Sequence, residues 1–86
     1  MSGKHHELKT EKEYYQAVER GEKLFEVRKN DRDFKRFDLV TLLEVANGIP
    51  TGRKLPTMEI TYILYGGIYG IDPDYCVMQL KITNAS

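Results

Sequence analysis

The residues best suited to chemistry lie in one short string, Gly21-Glu22-Lys23-Leu24-Phe25-Glu26-Val27-Arg28, which reads G-x-K-x-x-E-x-R. It gathers an ammonium, a carboxylate and a guanidinium. Glu26 and Arg28 are two apart, so on a strand they share a face, whereas Lys23 falls in a turn and spacing does not set its direction. Such a set suits recognition of a nucleobase: the carboxylate accepts from an exocyclic amine, and the arginine stacks or donates as a fork. It also suits general acid or base work by Glu26, tuned by burial and by its cationic neighbours. The bland alternative is an ion pair that only completes the fold.

Lys29, Asn30, Asp31 and Arg32 follow directly and form a candidate ligand loop, with Lys29, Arg32, Lys35 and Arg36 available to phosphates. Asn and Asp are also common where strands end, so a solvated turn explains the same residues. Tyr65-Gly66-Gly67-Ile68-Tyr69-Gly70 is rich in glycine. It has no following helix to supply aligned amides, which favours a plain strand-to-strand loop over a phosphate cradle. His5 and His6 are adjacent and point apart on a strand; His6 lines a cleft or belongs to a frayed tail. With one cysteine and no spaced partner, neither a metal site nor a cofactor is expected. Thr41, Thr57 and Thr61 have no base at a fixed spacing.

The elements that must position these groups are legible in outline. Thr10 followed by Glu13 has the spacing of a capping box. Tyr14, Ala17 and Val18 give an apolar helical stripe, and Gly21 suits the position just past a helix, so the pattern predicts a helix over 11–20. Leu8 and its neighbours can make a short first strand. Residues 24–29 alternate, with Phe25 and Val27 on one face and Leu24, Glu26 and Arg28 on the other. Residues 39–46 are β-rich, and Asn47-Gly48 with Pro50, Gly52 and Pro56 predict a loop. Met58, Ile60, Tyr62 and Leu64 alternate, as do Cys76, Met78, Leu80 and Ile82. One helix and about five strands predict an α+β domain: a small closed or nearly closed sheet with the helix on its side.

Composition bounds the function. The 86 residues fit one domain, 1–86, with an ordered core expected over about 6–83. Net charge is zero, which argues against a polybasic arm. Residues 20–37 nonetheless carry seven basic and four acidic side chains, a local excess of +3 on an otherwise acidic chain. No run is apolar enough to span a bilayer, and the N-terminal residues have no hydrophobic signal region. The lone Cys76 excludes an internal disulfide, so a cytoplasmic location is expected.

The string from Gly21 to Arg28 resembles the signature of ASCH domains, in the PUA-like superfamily of β-barrels. The resemblance extends to His6-Glu7-Leu8-Lys9, to the run from Arg28 to Phe34, to Tyr65-Gly66-Gly67 with Tyr69-Gly70, and to the strand over 75–78. Together these are similar to a small ASCH-related family of bacteria and phages, over almost the whole chain. Phe37 departs from the pattern, since related domains usually have glycine before the aspartate that is Asp38 here. The resemblance implies a barrel of five to six strands with one main N-terminal helix, and a cleft lined by Lys23, Glu26 and Arg28. It implies RNA or a nucleotide as partner. Some ASCH domains resemble amidohydrolases of N4-acetylcytidine, in which a threonine three residues after the lysine is the nucleophile. That position is Glu26 here, a poorer acyl-transfer nucleophile than an activated hydroxyl, so a binding module is expected rather than an enzyme. A small hydrolase acting on a modified nucleoside is the first alternative, and an adaptor using an exposed sheet edge the second.

Overall fold

The computed structural model describes residues 3–83. Its elements run β1 (His5–Glu11), α1 (Lys12–Glu19), β2 (Phe25–Lys29), β3 (Leu39–Ala46), β4 (Ile49–Lys54), β5 (Met58–Tyr65) and β6 (Tyr75–Ile82). The six strands form one curled half-barrel sheet in the order β1-β3-β5-β6-β2, with β4 paired to β3 off that path. β1 runs parallel to β3, and the other pairings are antiparallel. No helix among the described residues is long and apolar enough to cross a membrane.

The core fills the concave side. Leu8 of β1, Val40 and Leu42 of β3, Met58 and Ile60 of β5, and Cys76, Met78 and Leu80 of β6 meet Tyr15 and Val18 of α1 and Phe34 of the β2–β3 loop. The inward helix residues are Tyr15 and Val18, one step round from the expected stripe, which leaves Tyr14 half exposed. Ile82, expected on the inward face of β6, runs past the core and is exposed. Burial pushes the Cys76 thiol above its ordinary range and makes it a packing residue.

Local signals set the helix end but not its start. Gly21, at φ +77°, occupies the left-handed position that glycine adopts without strain. Its amide donates to Val18 and that of Glu22 to Ala17, which is a Schellman closure. At the other end the capping box does not form. Thr10 lies in β1 and donates to the Leu8 carbonyl, and Glu11 is the N-cap residue, without a side-chain cap bond. The Glu11 carboxylate instead receives the Asn47 and Gly48 amides of the β3–β4 turn, both at 3.3 Å. Thr10 Oγ1 meets the Arg28 guanidinium and the Leu8 carbonyl in place of a helix amide.

The predicted loop after Ala46 holds a strand. Asn47 and Gly48 both have positive φ and make a two-residue hairpin turn, after which β4 pairs back onto β3. Pro50 and Gly52 are tolerated because β4 is an exposed edge strand. The tail reading of His6 is also corrected. His6 is buried in β1, its Nε2 lies 2.8 Å from Asp38 Oδ2, and its ring meets Phe34 edge-on at 4.6 Å.

Candidate functional site: the seam groove

β1 and β2 are the terminal strands of the five-strand path, and no backbone ladder joins them among the described residues. Arginine side chains cross the gap. Arg28 Nη2 donates to the Lys9 carbonyl at 2.8 Å and to Thr10 Oγ1 at 3.0 Å. Arg32 Nη1 donates to the Glu7 carbonyl at 2.8 Å. An exposed strand edge leaves carbonyls without partners; here guanidinium forks serve them. The seam is therefore stitched by side chains and remains open as a groove.

The register of β2 determines what lines it. Glu26 pairs with Met78 and Arg28 with Cys76, so both charged residues point to the side of the apolar core. Phe25 and Val27 point outward and are half exposed. β2 is thus inverted relative to simple hydrophobic alternation. Burying a carboxylate costs several kcal/mol, on the order of the figures for single ions in proteins, unless charges and hydrogen bonds offset it. Glu26, only 3% exposed, has that compensation. Its Oε1 accepts from Lys23 Nζ at 2.5 Å and its Oε2 from Arg28 Nε at 3.0 Å. Lys23 Nζ also donates to the Phe25 carbonyl at 2.7 Å and sits 5.0 Å from the Phe25 ring centre and 5.9 Å from that of Tyr14.

The resulting groove encloses about 660 Å³. Thr10 and Glu26, the buried members of its lining, form its floor; Lys9, Glu11 and Tyr14 come from the β1–α1 segment, and Lys23, Phe25, Val27, Arg28 and Lys29 from β2 and the turn before it, with Tyr75 from β6. Four basic and two acidic side chains give it a net charge of +2. A space of this size with aromatic walls and few fixed polar groups is the usual form of a small-ligand site.

Of the sequence candidates, the structure brings Lys23, Glu26, Arg28 and Lys29 together at the groove. Asn30, Asp31 and Arg32 lie outside its lining. The Asn30 side chain accepts from the Phe34 amide at 2.8 Å and so holds its own turn, Asp31 is exposed, and Arg32 staples the seam further along β1. Thr10, Tyr14 and Tyr75 were not anticipated. Tyr75 was within reach, because the alternation that puts Cys76 and Met78 inward puts Tyr75 on the opposite face. Local spacing marks Thr10 only as a helix cap; it reaches the groove because the β1 edge lies across from Arg28. The glycine-rich segment after β5 spends its amides internally: Gly66 donates to Tyr75 at 2.8 Å and Gly67 to Ile71 at 2.7 Å.

A second constellation lies near the start of β1. His5 Nε2 is 2.7 Å from Thr41 Oγ1, which is 2.8 Å from Thr57 Oγ1. Thr41 thus has a nearby base that spacing did not reveal. Among the described residues no group of three or more His, Cys, Asp or Glu side chains is arranged to hold a metal ion.

The fold and groove define a small half-barrel domain with a cationic seam site. Residues 5–80 match the family described as Domain of unknown function (DUF3850), and the chain belongs to that family. It is also similar to an uncharacterized 12.9 kDa protein in the GpA 3' region of Escherichia phage P2, at 42% identity over 55 residues. The match covers 64% of this chain and spans half the length of the phage protein.

Proposed function

We propose that this domain is a PUA-like, ASCH-type module that binds RNA or a nucleotide in the seam groove without transforming it. The carrying observation is the combination of a +2 groove charge with a buried carboxylate held between two cations, Lys23 and Arg28. A net-positive site with aromatic walls favours an anionic, planar ligand. Tyr14, Phe25 and Tyr75 bring aromatic rings to the groove, and Lys9 and Lys29 add positive charge. The hydroxyl on the groove floor, Thr10, accepts from Arg28 and donates to the Leu8 carbonyl. Its proton has no free base to go to, and both Glu26 oxygens are engaged by cations. That wiring supports binding over nucleoside deacetylation.

The test is titration with short single-stranded RNAs and with nucleoside monophosphates over a range of salt. For about three phosphate contacts, the logarithm of affinity should fall with the logarithm of salt at a slope of roughly −2. Release of acetate from N4-acetylcytidine that stops in a Lys23→Ala variant would instead establish the hydrolase.

A further inference from the structure

The inversion of β2 that buries Glu26 and Arg28 leaves an apolar stripe on the convex face of the sheet. Phe25 pairs with Gln79, and Gln79 with Tyr62; Val27 pairs with Val77, and Val77 with Leu64; Lys29 pairs with Tyr75. Each row lies on the face opposite the core. Phe25, Val27, Tyr62 and Tyr75 are each between 41% and 56% exposed among the described residues. Phe25 and Tyr62 are two strand spacings apart, about 10 Å, and the Tyr75 row lies four residues, about 13 Å, along β6 from the Gln79 row.

Two observations say what fits this face. First, it is continuous with the groove: Phe25, Val27, Lys29 and Tyr75 belong to both. Second, its rings are accompanied by cations, with Lys29 beside Tyr75 and Lys81 in the row beyond Gln79, where Glu59 opposes it. Planar rings spaced over a sheet with a lysine at each end of the stripe suit successive bases and their phosphates, since base stacking tolerates any sequence and every base has a face. A purely aliphatic partner would not require three rings.

We infer that the convex stripe formed by Tyr75, Phe25 and Tyr62 is a stacking platform for single-stranded nucleic acid, extending the groove so that the domain holds an oligonucleotide rather than a lone nucleotide. This rests on the groove reading above. One base enters the groove beside Arg28, and its neighbours lie across Phe25 and out to Tyr62. Tyr62 lies off the groove and is half exposed, so truncating it leaves the groove's own contacts unchanged.

The experiment compares wild type, Tyr62→Ala and Arg28→Lys by fluorescence anisotropy and calorimetry. The probes are hexaadenylate, hexauridylate and the matching nucleoside monophosphates, and sedimentation checks the oligomeric state. Wild type should bind a hexamer more tightly than the monophosphate, and Tyr62→Ala should weaken the hexamer about fivefold or more, as expected for one lost stack. The same variant should leave monophosphate binding unchanged. Equal affinity for monophosphate and hexamer, or a hexamer affinity indifferent to Tyr62, overturns the platform while the groove reading stands. Hexamer binding that depends on Tyr62 but not on Arg28 supports the platform and removes the groove. Failure of every probe to bind overturns both. A wild-type dimer that Tyr62→Arg dissociates gives the face to a second copy and overturns the platform.

Discussion

Glu26 and Glu44 are buried almost equally, at 3% and 4% exposure, yet they sit in opposite kinds of environment. Glu26 on β2 is met by two cations, Lys23 and Arg28, whose side chains are 18% and 25% exposed at the edge of an open groove. Glu44 on β3 is met mainly by neutral donors: Thr51 Oγ1 at 2.7 Å and Gln16 Nε2 at 3.3 Å, with Arg53 further away at 3.6 Å. Strand β4 brings Thr51 and Arg53 to Glu44. The contrast separates two uses of a buried carboxylate. At Glu44 it ties strands and helix together through hydrogen bonds from Thr51 and Gln16. At Glu26 it fixes two cations in place while leaving excess positive charge facing solvent, the arrangement a binding site needs.

The largest expected effect comes from breaking the Glu26 side of the comparison. Arg28→Ala leaves the Lys9 carbonyl, Thr10 and one Glu26 oxygen without their donor. It should lower unfolding free energy by about 3 kcal/mol, the low end for breaking a buried pair, because Lys23 still faces Glu26. Denaturant melts measure this, and a loss below about 1 kcal/mol would show the seam closed by other means. Adding Glu26→Gln with Arg28→Met in place of alanine should recover part of the loss. Next in size, Glu26→Gln should cost about 2 kcal/mol by stranding two cations, whereas Glu44→Gln should cost under about 1 kcal/mol, since its neutral donors accept an amide. Equal costs at the two positions would erase the distinction drawn between them.

A smaller effect is expected at Phe37. It occupies φ +78°, the left-handed region that glycine adopts without strain. Its ring is half exposed under the Arg36 guanidinium, 4.9 Å away. Phe37→Gly should relieve roughly 1 kcal/mol of backbone strain, partly offset by chain entropy, and thermal melts should show an unchanged or raised midpoint. A clear fall would mean that the ring's packing outweighs the strain.

Asp38 supplies the finest test. Burial alone would raise its pKa, but the hydrogen bonds from His6, the Lys35 amide and the Lys4 amide outweigh it and hold the carboxyl below the ordinary range. A depressed folded value means that its stabilisation is complete above the ordinary carboxylate range and is lost as pH falls through the folded value. The stability gap between wild type and Asp38→Asn should therefore close on acidification below about pH 3.8, the ordinary value. A gap independent of pH would place the effect in packing.

Much of the scaffold was legible because its signals are local. Gly21 closes the helix through bonds within one turn, β3 declares itself by its β-rich composition and β6 by alternation. In β5 the expected alternation of Met58, Ile60, Tyr62 and Leu64 holds only to Ile60, because a bulge before Tyr62 turns Tyr62 and Leu64 to the face opposite the core. The same alternation puts Glu26 and Arg28 on a shared face, and this follows from the two-residue period of a strand alone. Which way that face points is a long-range matter. It was decided by the pairing of Glu26 with Met78 and Arg28 with Cys76, some fifty residues on in the chain. Local patterning failed where distant partners prevailed, as when Glu11 went to the Asn47–Gly48 turn and Pro50 was absorbed into an edge strand. Residue order alone establishes the charged triad, the helix that delivers it and the aromatic content. That the sheet stays open between β1 and β2, that Arg28 bridges the opening, and that Phe25 and Tyr75 face outward follow from the assembled sheet, because each depends on which strands lie at its ends.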